Sequence, residues 1–118
     1  MKDFKKLDMW KHAMDLVDLV YDLYDGLPWQ DVSECKGQSQ RAAISIPSNI
    51  AEGNSRRSEK SKYRFMEIAL GSAFELETQT LSAMRMKWCR MEQAERIIVA
   101  VDRQQKMIMG FMDKLNLS

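Results

Sequence analysis

A single histidine, His12, stands in a chain of 118 residues, and that scarcity removes whole classes of chemistry. Ferritin-like di-metal bundles need Glu-x-x-His pairs on two facing helices, and one histidine cannot supply two. A serine or cysteine nucleophile would have to pass its proton to His12, whose nearest acids, Asp8 and Asp15, are its own helical neighbours. Ser45 and Ser48 have no histidine near them in sequence. A lone helical histidine of this kind is expected at the surface. The two cysteines, Cys35 and Cys89, lack the neighbouring ligand types of a metal knuckle. They fit the reduced thiols of a cytosolic protein, so no disulfide is expected. No phosphate-binding G-x-x-x-x-G-K-[ST], no G-x-G-x-x-G and no G-x-S-x-G occurs. No uncharged apolar stretch reaches the roughly 18 residues of a membrane span. The start, Met1-Lys2-Asp3-Phe4-Lys5-Lys6, is charged where a signal peptide needs an apolar run. A cytoplasmic protein with no membrane partner, no cofactor, no metal and no enzymatic activity is therefore expected.

Glycine (five) and proline (two) are also scarce, and strand-like alternation is hard to find. Helix formers fill the chain instead. With 45% apolar and 30% charged residues, it has the profile of one globular domain over residues 1–118. A chain of this size buries roughly two-thirds of its unfolded surface and folds without metal or disulfide.

Four helical segments can be read from apolar spacings of three and four. The first covers about 8–25, with Trp10, Ala13, Val17, Val20 and Tyr24 as its seam, Asp8 as N-cap and Gly26 as terminator before Pro28. Its opposite face carries Asp15, Asp18, Asp22 and Asp25, an acidic stripe. The second covers about 34–52, with Ser39, Ala43, Ile46 and Ile50 inward and a polar stripe of Gln38, Arg41, Ser45, Asn49 and Glu52. Pro47 lies inside it and has no N–H for the Ala43 carbonyl, so a kink is expected there. Ser58 is the expected N-cap of a third helix over about 59–87, near 40 Å long. Tyr63, Met66, Leu70, Ala73, Leu76, Thr80 and Met84 form its seam, widened by Phe65, Ala69 and Leu81. Gly71, at its middle, is expected to admit a close backbone. A fourth helix over about 92–115 presents Ile97, Ile98, Val101, Ile108, Phe111, Met112 and Leu115. Short connections make these antiparallel neighbours, an all-α, up-down-up-down four-helix bundle.

The charge is unevenly spread. Residues 1–34 carry net −4, residues 35–64 net +5 and the remainder zero, which gives +1 overall. A chain polarised in this way often meets itself or a charged partner. The basic concentration is Arg56, Arg57, Lys60, Lys62 and Arg64, at a loop and a helix start whose free N–H groups also favour anions. Tyr63 among them has a ring able to stack a base. This patch either contacts phosphates, or is simply solvated or paired with the acidic stripe, in the same or another subunit. Of ten methionines, the six on the last two helices read mostly as core filler, and their excess over what one seam needs points to an oligomer contact for some of them.

Several stretches together resemble a known family: Leu7-Asp8-Met9-Trp10-Lys11, Gln40 through Gly53 (QRAAISIPSNIAEG), Arg56-Arg57-Ser58, and Ala69 through Gln79 (ALGSAFELETQ). They look like the four-helix bundle proteins encoded within intervening sequences of bacterial 23S ribosomal RNA genes. Ser33 and Glu34 depart from that pattern, where an aromatic and a glycine are expected. The resemblance implies a homopentameric ring with no established activity. It also implies distant kinship with the accessory variability protein of diversity-generating retroelements, a basic pentamer that works with nucleic acid. It further suggests that Arg41, Asn49 and Glu52 pair with Glu75 and Gln79, within the bundle or between subunits, with Arg41–Glu75 as a fixed ion pair. The expected function is that of a non-enzymatic oligomeric bundle contacting structured RNA or DNA. The alternative is a protein–protein adaptor.

Overall fold

A computed structural model describes residues 3–118; Met1 and Lys2, the first two residues of the charged start, lie outside the described residues. Asp3 accepts the Lys5 N–H at 3.0 Å and caps a single 3-10 turn, Phe4–Lys6. The ring of Phe4 meets Trp10 edge-on, with centroids 5.3 Å apart. Four helices follow: α1 Asp8–Tyr21, α2 Trp29–Ser55, α3 Glu59–Met86 and α4 Met91–Asp113. They form an all-α four-helix bundle measuring 49 × 21 × 20 Å.

Hydrogen bonds fix how the helices run. From α4 to α1, Gln104 reaches Met9 and Gln93 reaches Leu19; toward α3, Gln105 of α4 reaches Glu77 and Asn116, just past the end of α4, reaches Glu59. Contacts thus descend along one helix as they rise along its neighbour. Each helix packs on the next in sequence and α1 packs on α4. The core runs along the axis through Leu16, Ile46, Ile50, Met66, Leu76, Ile97 and Ile108, all fully buried. Each such side chain contributes on the order of 1.5–3 kcal/mol by leaving water.

Several local expectations need correction. Asp8 is not the N-cap of α1; Leu7 is, and Asp8 sits in the first turn, where its charge still suits the helix dipole. Regular helix ends at Tyr21, although Leu23 and Tyr24 remain buried in the turns that follow. Gly26 takes the left-handed conformation, φ 83°, that reverses the chain. The second helix starts five residues earlier than expected. Pro28 presets its backbone as N-cap, and Val32 buries the added turn in the core. As for Pro47, α2 runs through this buried residue without a break, which neither adds nor removes the kink expected there. Ser58 caps α3 as its sequence implies, accepting the Ser61 N–H at 3.1 Å. Leu81, assigned above to the seam of the third helix, is about half exposed; Ala83 takes the inward position. A Cβ at Gly71 would meet open space, so no backbone of this chain approaches it.

His12 is not a solvated surface residue. Its Nδ1 lies 2.6 Å from Oε1 of the fully buried Gln104, whose Nε2 donates to the Met9 carbonyl at 3.0 Å. Near the other end of α1, Gln93 Nε2 donates to the Leu19 carbonyl at 2.8 Å, and the Arg90 N–H to the Leu23 carbonyl at 2.8 Å. Leu19 belongs to the last turn of α1, whose carbonyls lack intrahelical donors, so α4 completes that end. Gln104→Ala is expected to destabilise the chain by about 2–3 kcal/mol, through a cavity plus lost hydrogen bonds. Urea denaturation measures this, and a variant within about 0.5 kcal/mol of wild type would contradict the role given to Gln104.

Candidate nucleic-acid interface

The basic stretch lies where α2 turns into α3. That turn is tight because Gly53 lets the helices approach: a Cβ placed there would stand 2.7 Å from Met66 Cε and 3.0 Å from Phe65 Cβ. The candidate cations then divide by what they touch. Arg56, though exposed, lies 4.6 Å above the Phe65 ring and 3.5 Å from Glu52, so it has partners at the corner. Lys62 donates from Nζ to the Asn54 carbonyl at 3.0 Å, completing the C-terminal end of α2. Arg57, Lys60 and Arg64 are exposed and make no ion pair among the described residues. Tyr63 is partly buried against the core.

The fold adds what the stretch alone does not show. A cavity of about 580 Å³ opens beside Arg56, Arg57 and Lys62, floored by Leu7, Phe111 and Leu115. It brings the N-terminal turn bearing Lys5 and Lys6, and the end of α4 before Lys114, to the same end of the bundle. The acids at this end include Asp3, Glu52 and Glu59; Asp3 caps the first turn, Glu52 holds Arg56, and Glu59 accepts the Asn116 N–H at 3.4 Å. Asp22 and Asp25 flank Leu23, which bonds to the start of α4 at the opposite end. The acidic stripe and the basic patch therefore do not pair within one chain.

The expected polar network is built differently from its sequence reading. Arg41 and Glu75 are both exposed and form no pair; the Arg41 guanidinium folds back to within 3.2 Å of where a Gly37 Cβ would stand. An intrachain Arg41–Glu75 ion pair is thus not formed. Asn49 turns onto its own helix, donating to the Ser45 carbonyl at 2.8 Å and to Ser45 Oγ at 3.0 Å. Ser45 Oγ in turn meets Ser72 Oγ of α3 at 2.7 Å. Glu52 serves Arg56, and Gln79 Oε1 is buried without a partner. Both cysteines are free thiols. Burial pushes the Cys89 thiol and the Tyr24 hydroxyl above their usual values, the latter against the opposing effect of its 2.9 Å hydrogen bond with Ser39. Among the described residues no group of three or more His, Cys, Asp or Glu is placed to hold a metal, and no helix is long and apolar enough to cross a membrane.

Neighbouring helices joined by short turns, with polar side chains at helix ends and contacts, define a four-helix-bundle protein with a basic end. More particularly, the chain belongs to the 23S rRNA-intervening sequence protein family, whose family model matches residues 5–110. A solved structure from Bacteroides thetaiotaomicron, a protein of unknown function from the S23 ribosomal protein family, shares the fold. It aligns with a TM-score of 0.78 and 20% identity over 90% of this chain and 99% of the other. No curated protein matches the sequence.

Proposed function

We propose that this chain is a non-enzymatic, self-associating bundle of the cytoplasm that contacts the phosphates of structured RNA or DNA through its basic end. The observation that carries the proposal is that Arg57, Lys60 and Arg64 are exposed and unpaired, while the neighbouring cations are held by the fold. Long side chains kept free at one end suit a backbone of closely spaced charges, whose binding is driven by counterion release. Self-association, pentameric by resemblance, has its own support. Ile44, Ile68, Phe74 and Leu81 are each about half exposed on α2 and α3, around the open Gly71. Arg41 and Glu75 lie unpaired on those same helices, available to meet across a contact between copies. The alternative, a protein–protein adaptor, draws on the exposed and unpaired Asp15, Asp18, Asp22 and Asp25.

Filter binding to a structured RNA tests the first reading. Three phosphate contacts predict a loss of roughly 40-fold in affinity between about 50 and about 200 mM salt. No affinity at the lower salt concentration would overturn it. Light scattering on the same sample is expected to give the mass of a pentamer, whereas a monomer mass would remove the ring. A protein partner that survives nuclease treatment would favour the adaptor.

A further inference from the structure

Phosphate contacts at the basic end leave one feature of that end without a use. The cavity of about 580 Å³ beside Arg57 has an apolar floor, Leu7, Phe111 and Leu115, each of them partly exposed. Its volume lies in the range of small-molecule sites. Its charged lining is Arg56, Arg57 and Lys62 against Glu59. A neighbouring cavity of about 400 Å³ shares Leu7 and Phe111 and brings Lys106 and Lys114 against Asp8. The two cavities thus carry a clear positive excess in a chain whose net charge is only +1. Next to Arg57 in the chain, Lys60 and Arg64 line a shallow hollow with Ser58 and Ser61 at the start of α3.

An apolar floor inside a cationic rim suits a ligand that is itself divided, with a flat apolar part and negative charge close by. A simple anion gains nothing from Leu7, Phe111 and Leu115, and a neutral apolar molecule gains nothing from Arg57. A continuous RNA duplex meets only half of the site. It offers phosphates and 2′-hydroxyls, while its base faces stay stacked inside the helix. An unpaired nucleotide meets both halves, because its base can be splayed onto an aromatic or apolar surface while its phosphates stay outside. Extruding a base costs least where it has no pairing partner to lose. Glu59, the acidic member of the lining, accepts the Asn116 N–H at 3.4 Å, and Arg56 is paired with Glu52 and the Phe65 ring. Arg57 has no such ion pair, so it is the rim cation best able to meet a phosphate at the mouth of the cavity.

Resting on the reading of Arg57, Lys60 and Arg64 as phosphate contacts, we infer that this cavity takes the base of one unpaired nucleotide, so that the RNA preferred by the basic end is a bulge or loop. The base lies on Leu7, Phe111 and Leu115. The flanking phosphates run past Arg57 toward Lys60 and Arg64. Every base has an apolar face, so the site selects unpaired over paired nucleotides and not one base over another.

Three RNA hairpins of one sequence separate the base from the backbone: a fully paired stem, the same stem with one bulged adenosine, and the same bulge made abasic. Each is titrated with the full-length chain by filter binding at about 50 mM salt. The bulged stem should bind about tenfold more tightly than the paired one, the usual gain from one stacked base. The abasic bulge should fall back to within about twofold of the paired stem, because its phosphates are unchanged. Two variants test the floor. Phe111→Leu removes the ring and keeps an apolar side chain against the core, and Leu115→Ser lies beyond the last residue of α4, where the fold depends on it least. Each should reduce the bulge preference to about threefold or less, with the affinity for the paired stem nearly unchanged. Arg57→Ala should instead weaken all three RNAs by a similar factor. Equal affinity for the three hairpins overturns the inference and leaves the phosphate contacts standing, whereas no binding to any of them overturns both. An abasic bulge that binds as well as the adenosine bulge overturns it, since flexibility of the backbone would then be what is recognised. So does a bulge preference untouched in both floor variants, or a lower assembly mass of Leu115→Ser in light scattering, which would make the cavity a seat for a second copy.

Discussion

Simultaneous Arg57→Ala, Lys60→Ala and Arg64→Ala substitution is expected to cut affinity for structured RNA by about 10²–10³-fold at low salt. Each lost phosphate contact removes one released counterion, so the slope of log affinity against log salt should flatten by about 2.7. The fold should not notice. All three side chains are exposed and unpaired, and surface changes of this kind usually stay within about 0.5 kcal/mol. Arg56→Ala and Lys62→Ala separate the two roles that the corner combines. Arg56 stacks on Phe65 and Lys62 completes the end of α2, so these variants should lose stability before they lose RNA. Filter binding paired with urea denaturation of all five single variants gives the comparison. Unchanged RNA affinity in the triple variant would place the interface elsewhere.

Gly53→Val is expected to be the most damaging single substitution at the junction of α2 and α3, at about 3 kcal/mol or more. The first added carbon already comes within 2.7 Å of Met66 Cε and 3.0 Å of Phe65 Cβ. Met66 is fully buried, so its methyl has little room to retreat, and overpacking of a core costs about 1–3 kcal/mol. A branched side chain adds a second clash and gains nothing in helix propensity to offset it. Gly53→Ala is the informative companion. Alanine gains up to about 1 kcal/mol of helix propensity against the same contact, so its net loss should be small. Thermal or urea unfolding of both variants checks the ordering. Equal stability of Gly53→Val and wild type would show that the two helices separate freely at this corner. Because Gly53 also sets where Arg56, Arg57 and Lys60 emerge, the valine variant should lose RNA affinity together with its fold.

How much of this was legible in the residues varies with the kind of question. Helix seams were read well: Ala13, Val20, Ile46, Ile50, Leu76, Ile97, Val101 and Ile108 are all buried. Periodicity failed at the edges. Leu81 was assigned inward and faces out, because an apolar residue at the margin of a stripe can turn either way. The start of α2 was missed because its first turn, Trp29 to Val32, carries one buried residue and no repeating pattern. Among the basic residues the sequence shows that they are neighbours but not which of them the fold engages. Arg56 and Arg57 are adjacent, chemically alike and both beside the cavity, yet only Arg56 also meets Phe65 and Glu52. The polar network was misplaced for a related reason: Asn49 found its acceptors on its own helix, where reach is short, and Arg41 and Glu75 stay outside.

The sequence by itself determined the all-α bundle, the family, and the absence of recognisable phosphate-loop or triad motifs. These depend on local spacing and on residue types, which a linear pattern records in full. Only the tertiary structure decided which polar groups are spent on holding helices together and which are left over. It took His12 from the surface to Gln104, put Arg56 and Lys62 to structural use, freed Arg57, Lys60 and Arg64, and left Gln79 Oε1 buried without a partner. A period of about 3.6 tells which face a residue occupies, not which partner waits across from it. Partners are set by the register between helices far apart in sequence, and that exists only once the bundle has closed.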